Sequence, residues 1–162
     1  PAMFGTERFS GKGAETLRWL TEECMPYIDQ TFDTERRERW LMGYSLAGLF
    51  ALWAAYEWDC FSGIICCSGS LWFQDWDIYV KEHTLHSKCK IYLSLGGREE
   101  KTKNKVMATV GERTREQERI LRADPLAEQV ILEWNAGGHF ADSGKRLAKG
   151  IRWLLMNNDE RR

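Results

Sequence analysis

Four short apolar runs, each set between segments of helical periodicity, constrain this 162-residue chain more than any other feature. Arg39-Trp40-Leu41-Met42 stops at Gly43, and Phe61 to Cys67 centres on Ile64 and Ile65. Lys90 to Leu95 ends at Gly96-Gly97, and Val130-Ile131-Leu132-Glu133-Trp134 closes on Ala136-Gly137-Gly138. The runs are near-continuous in apolar character, as in strands buried on both faces. Helix-like stretches separate them at 46–57, 73–84 and about 102–122, with another before the first run at 13–29. A last helix begins near Asp142, a residue suited to cap it, and aligns Leu147, Ile151, Leu154 and Leu155. Strands alternating with helices imply right-handed crossovers, which predicts four parallel strands near 38–43, 62–67, 90–95 and 129–134. The expected architecture is a three-layer α/β/α sandwich with a mostly parallel sheet, folded as one domain over 1–162. In such sheets, function gathers at the carboxyl ends of the strands.

Charge and composition exclude several classes of function. Lys plus Arg (23) nearly balance Asp plus Glu (24), so the chain carries no electrostatic footprint for nucleic acid. Acids and bases are also interleaved, as in Glu112-Arg113-Thr114-Arg115-Glu116, the pattern of a solvated helix face. No apolar stretch approaches bilayer length, and no basic-then-apolar leader opens the sequence. The five cysteines, an odd number without a CxxC pair, read as buried thiols in a reducing compartment, which makes cytoplasm the expected location. His83 and His86, spaced H-x-x-H with Cys89 after them, lack a convincing fourth ligand and read as a solvated helix end. Neither a metal nor a cofactor is expected. Eight tryptophans fit an aromatic-lined cleft and a well-filled core equally well.

Chemistry concentrates just after the strands. Gly43-Tyr44-Ser45-Leu46-Ala47-Gly48 lies between a strand and a helix, where a serine on a sharp turn would expose its hydroxyl above the sheet. The Leu46 amide would face a developing oxyanion there, with the helix N-terminus behind it. The usual pattern is G-x-S-x-G, and here Ala47 holds the last place. Gly137-Gly138-His139-Phe140 follows the final strand, so His139 on its glycine loop could lean over the sheet as base for Ser45. Gly97-Arg98-Glu99-Glu100 follows the third strand. A carboxylate from it would accept the Nδ1 proton of the histidine; Glu100 is preferred to Glu99, and either could instead begin the next helix as a solvated charge. The order serine, acid, histidine is that of α/β-hydrolases.

These residues resemble the "putative esterase" branch of the α/β-hydrolases, which includes esterase D and the siderophore esterases. The stretches LMGYSLAGLFALWAA, SGSLWF and GGHF are similar to its nucleophile elbow, a site-lining segment and the histidine loop. LSLGGREE is similar to its acid loop, whose G-x-x-acid spacing counted from Gly97 selects Glu100. LTEECMPYIDQTF resembles the helix before the nucleophile strand. The resemblance implies a triad of Ser45, Glu100 and His139, with Tyr44, Ser70, Trp72, Phe73 and Phe140 as candidates to line the substrate site. Two departures stand out: Ala47 replaces a glycine, and the strands that family members carry before residue 13 are lacking. One of their loops supplies the second oxyanion amide. The chain therefore reads as a truncated α/β-hydrolase fold, either the carboxyl-terminal part of a larger protein or a shortened relative.

The leading expectation is a serine esterase acting on a small-molecule ester through an acyl-enzyme at Ser45. Acyl transfer on the same triad is a close variant, and a non-catalytic module kept for binding is the alternative of a different class. An open sheet edge would also favour homo-oligomers.

Overall fold

The computed structural model describes residues 2–4, 7–8, 11–34 and 38–157. The chain divides into two compact units, Pro1–Arg37 and Glu38–Arg162. In the first, β1 (Ala2–Phe4) pairs antiparallel with β2 (Glu7–Arg8), a pairing that the sequence did not suggest. A helical stretch follows as α1 (Gly13–Trp19), a π-helical turn over Leu20–Cys24, and α2 (Met25–Phe32). It replaces the single helix expected over 13–29. Pro26 explains the wide turn, because it brings no N–H to the ladder and its ring crowds the preceding turn. The stretch ends where Asp33 turns left-handed at φ 52°.

The second unit holds the sheet. Its strands are β3 (Trp40–Tyr44), β4 (Gly63–Cys67), β5 (Cys89–Gly96) and β6 (Ala127–Asn135), all parallel and in the order β3-β4-β5-β6. Each predicted strand is therefore present, with its ends moved by at most two residues. The crossovers are α3 (Leu46–Glu57), α4 (Trp76–Glu82) and α5 (Val110–Ala123), and α6 (Ser143–Met156) follows the last strand. Right-handed crossovers that always step the same way place α3, α4 and α5 on one face of the sheet. Helix α6 covers the other. Ile65, Cys67 and Tyr92 point towards α6 and pack with its Leu154, joined by Trp40, Tyr44, Ile131, Leu147, Ile151 and Trp153. Side chains alternate along each strand, so Ile64, Cys66, Ile91 and Leu93 fill the opposite face. Gly150 lets α6 lie close, since a Cβ there would sit 2.6 Å from Ile65 and 2.9 Å from Tyr92.

Helix α4 is shorter than the 73–84 stretch expected, α5 starts late, and α6 starts near Asp142 as expected but without its cap. Helix α5 begins at Val110 rather than near 102, because Asn104 Oδ1 accepts the amides of Val106 and Met107 and opens a short turn instead. The buried face of α5 is Val110, Thr114, Gln117 and Leu121, with Gln117 bonded to the Trp76 indole and the Tyr56 hydroxyl. Asp142 occupies the position before α6 but makes no capping bond; it is left-handed at φ 53° and pairs with Lys145 instead. Leu155, expected on the apolar stripe of α6, is exposed.

Candidate active site

The carboxyl ends of all four strands carry the site. Ser45 stands between β3 and α3 at φ 60° and ψ −121°, a backbone conformation that costs about 1–3 kcal/mol for a residue with a side chain. Neighbours hold it there. Its N–H donates to Cys67 O at 3.0 Å, and its carbonyl accepts the Ser70 amide at 3.1 Å and the Leu49 amide at 3.0 Å. The turn is sharp enough that a Cβ on Gly43 would lie 2.0 Å from the Ala47 carbonyl oxygen. Gly48 is nearly as confined, with Cys67 O and Gly43 O at 3.1 Å from its would-be Cβ. Ala47, by contrast, is exposed, so its methyl group meets no obstacle where the usual pattern has glycine.

Loop 136–142 places His139 over this serine. Its Nε2 lies 3.1 Å from Ser45 Oγ, and its Nδ1 lies 2.8 Å from Glu99 Oε2. Glu99 is the residue that reaches the imidazole. The preference for Glu100 is not met: Glu100 points away and pairs with Arg115 at 3.0 Å. The reason is local. Glu99 and Glu100 share a 3₁₀ turn (Glu99–Lys101), which sends consecutive side chains in different directions. The Gly96 amide also donates to Glu99 Oε1 at 2.7 Å, fixing the first carboxylate under the loop. Counted from Gly96 instead of Gly97, the G-x-x-acid spacing lands on Glu99.

The two oxygens of Glu99 have different company. Oε2 faces His139, while Oε1 accepts Ser68 Oγ at 2.6 Å, the Gly96 amide, and Arg146 Nη1 at 2.9 Å. Burial pushes the Glu99 carboxyl up, but the hydrogen bonds from His139, Ser68, Gly96 and Arg146 outweigh it and hold the group below its ordinary value. An ionised carboxylate only accepts, so the Nδ1 proton of His139 points to Glu99 and Nε2 is the ring nitrogen that faces the Ser45 hydroxyl.

Arg146 and Ser68 were not anticipated. Arg146 is 1 % exposed and enters from the first turn of α6. Its Nη1 also donates to Ser68 Oγ at 2.8 Å and Tyr44 OH at 3.1 Å, and its Nη2 to Gly138 O at 3.0 Å. Tyr44 was a candidate to line the substrate site, yet its hydroxyl donates to the carbonyl of His139 beneath the loop. Burial raises its pKa, keeping the phenol protonated for that role. Ser70 Oγ lies 3.4 Å from Ser45 Oγ. Trp72 and Phe73 follow it, both half-buried. Phe140 is 92 % exposed, edge-on to the His139 ring at 5.0 Å between centroids. Leu46 opens α3, where helix N–H groups have no acceptor within the helix and point outward as donors.

The profile of the family described as "Putative esterase" matches residues 7–147. The chain belongs to this family. No curated protein matches its sequence. Among solved structures, it is similar to siderophore hydrolase EstB from Aspergillus nidulans, with a TM-score of 0.76 at 21% identity, covering 90% of this chain and 58% of that one. Siderophore hydrolase EstA from the same organism gives 0.74 at 20% identity, covering 90% and 57%. An IroE-like serine hydrolase from Shewanella oneidensis gives 0.75 at 19% identity, covering 89% and 48%. The likeness is one of fold, and this esterase-family chain spans about half to three-fifths of the length of these relatives.

Proposed function

We propose that this chain carries the catalytic centre of a serine carboxylic-ester hydrolase that works through an acyl-enzyme. The observation that carries the proposal is the unbroken line of hydrogen bonds from Glu99 through His139 to Ser45, at 2.8 and 3.1 Å. Ser45 Oγ attacks the ester carbonyl while His139 Nε2 takes its proton, and Glu99 stabilises the imidazolium. Negative charge developing on the carbonyl oxygen meets the Leu46 amide and the positive end of α3. Collapse expels the alcohol, which receives the proton from His139. Water activated by the same imidazole then attacks the Ser45 ester and frees the acid. Phe140, beside the imidazole, and the half-buried Trp72 and Phe73 offer apolar surface to the substrate. At about 20% identity the siderophore hydrolases support the fold and leave the substrate proposed only as a carboxylic ester. Five free thiols, three of them buried, agree with a reducing compartment such as the cytoplasm.

A fluorophosphonate probe tests the proposal. Ser45 should be labelled and the Ser45→Ala variant should not, and the variant should lose hydrolysis of an activated aryl ester. Release of acyl groups onto an added alcohol rather than water would move the assignment to acyl transfer. An unlabelled Ser45 with no ester turnover would leave a binding module instead.

A further inference from the structure

Arg146 is an expensive way to hold α6 on the sheet. Its guanidinium is 1 % exposed, its Nε is buried without a hydrogen-bond partner among the described residues, and it sits in the first turn of a helix, where the dipole disfavours a cation. An apolar side chain of similar volume packs such a place at equal or lower free energy. What the guanidinium does that an apolar chain cannot is bridge two parts of the site. One nitrogen binds Glu99 Oε1, Ser68 and Tyr44, and the other binds the carbonyls of Gly138 and, more loosely, Ala136 on the histidine loop.

We infer that Arg146 is a positioning residue that balances the buried charge of Glu99 and pins the His139 loop, so that the imidazole rests neutral with Nε2 aimed at Ser45. The role in turnover rests on the esterase proposal above; the charge balance does not. With Arg146 on Oε1, the Glu99–Arg146 pair is neutral overall and draws no second proton onto His139. Without it, an almost buried carboxylate has no full counter-charge. It would then take up a proton itself or keep one on both nitrogens of His139, and in either state Nε2 is no longer a free base for Ser45.

The other groups around the pair do not supply that charge. From β3, Tyr44 stays a neutral phenol, its pKa raised. From β4, burial pushes the Cys67 thiol up to about 12, so it too is neutral, and Ser68 is a hydroxyl donor. From β6, Glu133 is negative and is held by Lys149 and the Tyr92 hydroxyl. From the 3₁₀ turn, Glu100 is paired with Arg115.

The test is a histidine titration by NMR on the full chain, in which His83 and His86 serve as internal references. Arg146→Gln should raise the pH at which His139 titrates by about one unit or more, the scale of losing one close opposite charge around a site, or move its resting proton from Nδ1 to Nε2. The acid limb of kcat/KM for an aryl ester should move up by the same amount. Arg146→Lys keeps the charge but not the fork, so it should leave the titration near that of the wild type and lower kcat. Arg146→Met, which refills the volume without a charge, carries the measurement if the glutamine variant does not fold. A folded neutral variant whose His139 titration, tautomer and acid limb match the wild type would overturn the inference and leave Arg146 with a packing role. Failure of Ser45 to take the fluorophosphonate in the wild type would sink the esterase proposal while the NMR titration still decides the charge balance.

Discussion

Glu99 and Glu100 are neighbours in sequence with opposite surroundings, and substitution should separate them. Replacing a triad carboxylate by its amide costs about 10⁴ in turnover, because the amide stabilises the wrong tautomer and no imidazolium. Glu99→Gln should show a loss of that order on an aryl ester, whereas Glu100→Gln should stay within a few-fold, since its pair with Arg115 is partly exposed. Equal small effects would mean that Ser45 and His139 act as a dyad. The same residue sets an acid limit on stability. Its folded-state pKa is depressed, so its contribution is complete above the unfolded value near 4.3 and is lost as pH falls through the folded one. Urea denaturation at stepped pH should show stability falling below about pH 4. Glu99→Gln should flatten that slope and lower stability at neutral pH by about 3–5 kcal/mol, through the Arg146 charge left unpaired. A steeper acid slope in the variant would place the titrating group elsewhere. Ser45 and His139 were legible as residues that follow strand ends on glycine-bearing loops. Glu99 was not, because the pair Gly96-Gly97 allows two registers and only the 3₁₀ turn chooses between them. Arg146 left one trace: a basic residue four before Gly150 and eight before Leu154, on the stripe that faces the sheet.

Among the elements, the turn from β3 into α3 has the least tolerance. A Cβ on Gly43 meets backbone atoms of Ala47 at 2.0 and 2.1 Å, which cannot swing aside as a side chain would. Gly43→Ala should therefore cost more than the roughly 1–3 kcal/mol of ordinary overpacking. Gly150→Ala, which meets only side chains of Ile65 and Tyr92, should fall within it. Chemical denaturation of the two variants checks the ranking, and a more stable Gly43→Ala protein would contradict the geometry. The strands were legible because burial on both faces leaves near-continuous apolar runs such as Gly63–Cys67. Helix starts were harder to see. The charges of 101–105 suit a helix as well as a loop, and it is the Asn104 side chain that opens a separate turn before α5.

At the scale of the whole molecule, β3 and β6 each pair with one strand among the described residues, and the exposed Met42 lies on β3. Unpaired edges and apolar side chains recruit further strands. The 162-residue chain is therefore expected to self-associate at micromolar concentration by sedimentation velocity, and a clean monomer would show that other segments cover the edges. Because every strand pairs with the strand that follows it in sequence, the sheet can grow in the direction in which a ribosome delivers the chain, each βα unit adding to the last. Of these four strands, the first leads into the elbow bearing Ser45, and His139 and Arg146 follow the fourth. On the proposed mechanism, a nascent chain would hold a shaped but inert serine until α6 docks, and release of α6 alone would silence the site with the sheet still in place.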